Sequence, residues 1–285
     1  MKKITIAILA LILMGVLIPT GFATDSNLVI TYGETTNANS DYKSTVDSFF
    51  ANQANVDLNN VESKVITANQ VNEVSSGITG KYYTSDQILS SALLDLNDND
   101  NLEVSVDKSQ ITTITGDMYI SALKSAGITS GHVYVTSPVS ATGESALAGI
   151  MNAYEEVTDV EIPESVKEAA NDEIYTQAEI VENSNVDANK LSQLVDNVKQ
   201  EVSKDNVTDH DTIVNIINNQ VQNNNINITN VDIENLANSI EQVQNVQGDV
   251  NYYKGQVDGL LNNSTNGGFS IDGLLNWIQS FVYGI

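Results

Sequence analysis

Two imidazoles, at His132 and His210, and no cysteine or arginine narrow the chemistry open to this chain. A nucleophile would have to be a serine or threonine hydroxyl, and its base one of those two rings. The block Gly143-Glu144-Ser145-Ala146-Leu147 comes one residue short of a nucleophile elbow, because Leu147 stands where the second glycine belongs. His132 lies a few residues upstream on a strand-like run, so a Ser145 and His132 pair is geometrically conceivable. A first-turn position in a helix that starts after Gly143 accounts for Ser145 more simply.

Oxygen ligands are the second source of chemistry. From Asp95 to Glu103 they recur at alternate positions, Asp95, Asn97, Asn99, Asn101 and Glu103, as in a calcium loop. The sixth position is Asp100 instead of glycine and the twelfth is Val106 instead of a bidentate glutamate, so the template fails where it discriminates most. A polar turn between two elements explains the same residues, and calcium is the sole cofactor suggested. Between Glu155 and Asp187 lie eleven carboxylates and one lysine, Lys167. Any pair could be posed as the acid and base of a glycoside hydrolase; a solvated acidic face is the expected use. Asp209 or Asp211, flanking His210, reads as a helix cap before Ile213 and not as a zinc site. No catalytic or cofactor-binding residue is assigned.

Charge and composition exclude more than they assign. The 285 residues carry 37 acidic side chains against 12 basic ones, a formal charge of −25. Such a surface repels phosphate backbones, and the missing arginine removes the usual guanine reader, so nucleic-acid partners are not expected. Without cysteine there is no disulfide, thiolate zinc site, iron-sulfur cluster or Cys nucleophile. Lys2 and Lys3, the uncharged run Ile4 to Ile18 and the small residues of Gly21-Phe22-Ala23 form an export signal, with cleavage after Ala23. The run is short of the roughly 20 apolar residues that span a bilayer. Secretion or cell-surface display is therefore expected, and Asn206, Asn227, Asn262 and Asn263 are formal glycosylation acceptors.

The elements that would position these groups divide the chain into a signal peptide at 1–23, a mixed domain at 24–140, a helical domain at 141–265 and a C-terminal helix at 266–285. In the mixed part, strands are expected at Leu28–Tyr32, Lys64–Thr67, Leu102–Val106 and His132–Val135, and helices at Ser40–Phe50 and Gly116–Ala126. Thr84 and Ser85 are expected to cap a further helix with the stripe Ile88, Leu89, Ala92, Leu93 and Leu96. Helices follow at Glu144–Val157, after Pro163, around Leu191 to Val202 and around Ile213 to Val221. Leu236, Val243, Val250 and Val257 then recur every seven residues, the pattern of one long helix in an intramolecular bundle. The fold class is α+β or α/β, a mixed sheet with packed helices followed by a helical bundle. In the tail, Ile271, Leu274, Leu275, Ile278, Phe281 and Val282 share one helical face bordered by Trp277, a face suited to docking on the bundle, to a partner or second copy, or to a membrane surface.

The block from Ile111 to Ile128, continuing through Val133-Tyr134-Val135-Thr136-Ser137-Pro138-Val139, Thr142-Gly143-Glu144-Ser145-Ala146-Leu147-Ala148-Gly149-Ile150 and Ala153-Tyr154-Glu155, resembles the core of the YpuA-like family of exported proteins, a domain of unknown function found in bacteria and methanogenic archaea. The acidic helix Val166 to Val181 and the tail from Ile278 to Val282 resemble its helical second half. The resemblance implies export and one shared domain organisation, and it carries over no catalytic residues. The leading functional expectation is an exported, non-catalytic protein of the cell surface or envelope that acts by recognition of an envelope protein or polymer. The alternatives are an extracellular carboxylate-dependent hydrolase of envelope polymers and a calcium-dependent adhesion or sensing module.

Overall fold

The computed structural model describes residues 27–79, 82–97, 101–184 and 186–264. The signal segment 1–23, Asn99 of the proposed calcium loop, and the C-terminal face of Ile271, Leu274, Leu275, Trp277, Ile278, Phe281 and Val282 lie outside the described residues.

The architecture is α+β. Strands β1 (Leu28–Gly33), β2 (Glu62–Ile66), β3 (Ser91–Asp95), β4 (Leu102–Val106) and β5 (Gly131–Thr136) form a mixed sheet in the order β2-β1-β3-β5-β4. The outer pairs β1–β2 and β4–β5 are parallel and the two central pairings antiparallel. Helices α1 (Glu34–Ala38), α2 (Ser40–Ala54) and α3 (Ala68–Thr79) are interleaved with the first strands. Alternation within each strand supplies two faces. On one, Leu28, Ile30, Tyr32, Leu93 and Tyr134 pack against Val46 and Phe50 of α2. On the other, Val29, Ala92, Leu94, Val133 and Val135 meet α4 (Gly116–Ser125) and α5 (Ser145–Thr158) in the largest core.

Behind that layer lie α6 (Glu164–Ser184), α7 (Ala188–Lys204), α8 (His210–Asn223), α9 (Asn230–Asn245) and α10 (Gln247–Ser264). Helix α6 belongs to both halves. Its Val166, Ala170, Ile174, Tyr175 and Ala178 join the sheet-side core, whereas Ile180 joins a second core built from α7, α8 and α9.

Three sequence expectations need correction. Thr84 does cap a helix, but only the single 3-10 turn Ser85–Gln87; Ile88 to Leu96 leads into and past strand β3. Being central, β3 is covered on both faces, so its apolar residues run together instead of alternating, and a short run of that kind cannot be told from a helix by spacing. Helix α3 follows β2 where no helix was expected. The seven-residue repeat is divided at Val246 into α9 and α10, with Leu236 and Ile240 in the second core and Val250 and Val257 in the first. A constant period reports which side is buried, not which core receives it.

Gly149 sets how closely α5 can lie on the sheet: a Cβ there would fall 2.6 Å from Thr31 Oγ1 on β1. Alanine improves helix propensity by up to about 1 kcal/mol, but over-packing at a rigid helix–strand contact is destabilising by about 1–3 kcal/mol. Gly149→Ala is therefore expected to lower the urea midpoint; an unchanged or raised midpoint would show that α5 shifts freely.

Candidate functional site

Five polar assemblies can be built from the described residues. The first is interior. Glu173, 1% exposed at the middle of α6, faces Lys199 of α7 across 2.8 Å. Ser121 and Ser125 are one turn apart on α4, which places both hydroxyls on one helical face. Each lies 2.5 Å from a different oxygen of Glu173, and Lys199 Nζ donates to both hydroxyls. Asp196 of α7 completes the set, 2.6 Å from Ser121 Oγ and 3.4 Å from Nζ. A serine beside a lysine amine is a known nucleophile–base pairing, but here Nζ is engaged by two carboxylates and donates to both hydroxyls, so each group serves as the partner of another. The assembly is a clamp that joins α4 of the mixed layer to α6 and α7. It qualifies the expected solvated acidic face: Glu164, Glu168, Glu179 and Glu182 are exposed on α6, but Asp172 and Glu173 lie inside because the middle of the helix is buried all round.

The second assembly surrounds the Gly143 turn. Gly143 adopts φ +112°, a left-handed conformation that glycine accepts without strain. Its carbonyl accepts from Tyr119 Oη at 2.5 Å, and the Thr142 hydroxyl donates to buried Glu144. Glu144 and Glu182 both act electrostatically on Tyr83, whose phenol is pushed up to about 12, chiefly by burial. The neighbouring Tyr175 phenol is raised further for the same main reason. Both phenols thus stay protonated as donors. Ser145 is buried and heads α5.

His132 is elsewhere. Its Nε2 is 2.9 Å from Ser105 Oγ on β4, its Nδ1 is 3.2 Å from Tyr134 Oη, and its ring stacks on that tyrosine with centroids 4.1 Å apart. The parallel register of β4 and β5 sets Glu103 opposite His132 and Ser105 opposite Tyr134. The serine that meets the imidazole is therefore Ser105, not Ser145, because residues distant in sequence are brought together by strand pairing. Glu103 Oε2 stands 3.9 Å from Nδ1. Of the calcium-loop residues, Asp95 accepts from the backbone of Asn97 and Asn97 accepts from Asn27, as in a polar turn, while Glu103 is on β4 beside His132. Among the described residues, no three His, Asp or Glu side chains are grouped to hold a metal ion.

His210 bridges to α9, with Nδ1 3.0 Å from Glu241 and Nε2 3.1 Å from Glu234. Those carboxylates, Glu234 first, raise its pKa. Asp209 is the helix cap, accepting from Thr212 N at 3.0 Å.

The fifth assembly is an open groove of about 690 Å³ lined by Asp159, Val160, Glu161, Pro163, Tyr252, Tyr253 and Gln256. One wall is the connection from α5 to α6. Asp159 ends α5 at φ +53°, Val160 and Ile162 plug the core, and Glu155 accepts from Ile162 N at 2.8 Å while pairing with Lys167 at 3.0 Å. The other wall is α10. Val250, Tyr253 and Val257 point inward at helical spacing, and Tyr253 Oη donates to the Ala126 carbonyl. Gly127, at φ +80°, lets α10 come this close, since a Cβ there would meet Tyr253 Oη at 2.7 Å. The adjacent Tyr252 is consequently turned outward and is 70% exposed. Sequence reading missed the groove; the only available signal was that Val250, Tyr253 and Val257 define an inner face that leaves Tyr252 outside.

The interior clamp gives a measurable coupling. Lys199→Met alone leaves Glu173 buried without its cation and is expected to be destabilising by about 3–5 kcal/mol. The Lys199→Met, Glu173→Leu pair should lose clearly less than the sum of the single changes in urea unfolding; additivity would show that the two side chains do not interact. Asp172 gives a pH dependence. Burial, opposed by the nearby Ser239 hydroxyl and assisted by the charge of Glu173, raises its pKa to about 6. Between the ordinary carboxylate range and that value the folded chain holds a proton that the unfolded chain has lost, so this group favours folding more as pH falls through that window and opposes it above. Asp172→Asn is expected to raise the melting temperature most at pH 8, less at pH 5 and least near pH 4, at the ordinary carboxylate value; an equal shift at all three would exclude this assignment.

Comparison with known proteins places these features in a family. Residues 32–260 match the family model described as a protein of unknown function (DUF1002). An uncharacterized protein YpuA of Bacillus subtilis (strain 168) is 29% identical over 216 residues, covering 74% of this chain and 70% of that protein. No solved structure matches. The matched region runs from β1 into α10 and contains all five assemblies, and this chain belongs to the DUF1002 family.

Proposed function

We propose that this is an exported protein that acts at the cell surface or in the envelope by binding rather than by catalysis. The observation that carries the binding reading is the groove between the α5–α6 connection and α10, which is built on anchored walls and presents an exposed tyrosine. Walls held by Val160, Ile162 and Tyr253 lose little freedom when a ligand arrives, which favours affinity. Export rests on the amino-terminal pattern of Lys2-Lys3, Ile4 to Ile18 and Gly21-Phe22-Ala23. Among the described residues, no helix is long and apolar enough to cross a membrane.

A second reading, an extracellular hydrolase, is supported by buried Glu144 and by Glu182, whose fields converge on Tyr83. In it, one carboxylic acid gives its proton to the leaving oxygen of an envelope polymer as the bond breaks, and the other, as carboxylate, takes a proton from the water that attacks the freed centre.

Fractionation of a bacterial host expressing the full chain, with amino-terminal sequencing, tests the proposal. A product outside the cytosol that begins at Thr24 is expected. A soluble cytosolic product retaining Met1 to Ala23 would overturn export. Turnover of envelope polysaccharide or peptide by the purified protein, abolished by Glu144→Gln with the fold intact, would replace binding with hydrolysis.

A further inference from the structure

We propose that the groove between the α5–α6 connection and α10 binds an extended peptide segment through a lysine or arginine side chain, held over the Tyr252 ring and between the carboxylates of Asp159 and Glu161. This inference rests on the binding reading above and names its partner chemistry.

The groove has the size of a ligand site; such sites occupy roughly 300–1,000 Å³, and this one measures about 690 Å³. Its lining divides into two kinds of surface. Pro163 and the Tyr252 ring provide apolar area, while Asp159 and Glu161 stand exposed at the rim. An aromatic face attracts a cation through its negative π surface, and neighbouring carboxylates add a direct charge. An ammonium or guanidinium on an otherwise apolar stem matches both, whereas a carboxylate or phosphate would be repelled.

The local cations do not occupy that role. Lys167 is paired with Glu155 and Glu164 at 3.0 and 3.6 Å, and the charge of Glu161 acts on it only as the smallest of its neighbours' effects. Lys254 is 6% exposed and turned inward next to Gly127, where burial lowers its pKa to about 8 against the opposing field of Asp258. Within this stretch the remaining charge is negative, and the whole chain carries −25. A basic partner is therefore attracted from a distance as well as on contact. Gln256, exposed on α10, supplies a side-chain amide able to bond a passing peptide backbone.

The interaction is read by fluorescence anisotropy with the purified protein and a labelled Ala-Lys-Ala-Pro-Lys-Ala peptide, using the same peptide with glutamate in place of lysine as the control. Saturable, salt-sensitive binding of the lysine peptide alone is expected. Tyr252→Ala and the pair Asp159→Asn with Glu161→Gln should each weaken it about ten-fold or more, Tyr252→Phe should retain it because the ring face persists, and the distant exposed pair Glu73→Gln with Asp117→Asn should leave it within about two-fold. Tyr252 is solvent-exposed and asparagine tolerates the left-handed backbone of Asp159, so these variants are expected to keep the native circular dichroism spectrum. The inference is overturned by absence of binding, by equal binding of the glutamate peptide, by an unaffected Tyr252→Ala, or by an equal loss in the distant pair, which would mark general attraction to an acidic protein. Loss of the cationic partner with export intact leaves the recognition role standing; cytosolic retention removes that role whatever the peptide does.

Discussion

A carboxylate in the interior needs its partners, and much of this architecture follows from where Glu173 finds them. It sits midway along α6, in the stretch of that helix that is buried all round, so protein groups must replace its solvation. Lys199 reaches it from α7 and two serines reach it from α4. Three helices of different origin are thereby held at one point: α4 lies on the sheet, α7 belongs to the second core, and α6 contributes to both. A buried ion pair adds little net stability compared with apolar packing, but separating its members is costly, so such a pair resists sliding and rotation of the helices it joins.

Close approach elsewhere in the chain depends on residues without a side chain. Gly149 admits Thr31 beneath α5, and Gly127 admits Tyr253 and Val250 of α10. The second contact has a consequence at the surface. Fixing Tyr253 inward orients the next residue outward, and Tyr252 becomes the exposed aromatic of the groove. A ligand-sized concavity thus arises from core packing on one side and a pinned turn on the other, with no loop needing to fold on binding.

Several polar assemblies in this molecule are engaged in holding it together, and their composition by itself does not distinguish structure from chemistry. Ser121 with Lys199 has the residue types of a nucleophile and base, yet the carboxylates around them supply the reason for both. Ser105 with His132 has the spacing of an activated hydroxyl, on a sheet face where Tyr134 stacks on the ring. The groove differs in kind. Its carboxylates point outward and its aromatic side chain is exposed, so its unsatisfied capacity faces solvent and any partner that solvent carries.

Local pattern determined much on its own. The alternation of Leu102 to Val106, the β-branched run of β1 and the Asp209 cap before Ile213 were legible because their signals lie within a few residues. The mixed sheet followed by helices was legible for the same reason. Only the tertiary structure decided that Ile88 to Leu96 leads through a central strand, since burial on both faces erases the alternation that would mark it. It alone decided that the seven-residue repeat serves two cores, that His132 meets Ser105 and not Ser145, and that Glu173 is inside although its neighbours in sequence are rich in acid. Periodicity identifies a buried side of an element, but the identity of what covers that side depends on contacts between residues far apart in the chain, and those exist only once the layers have assembled.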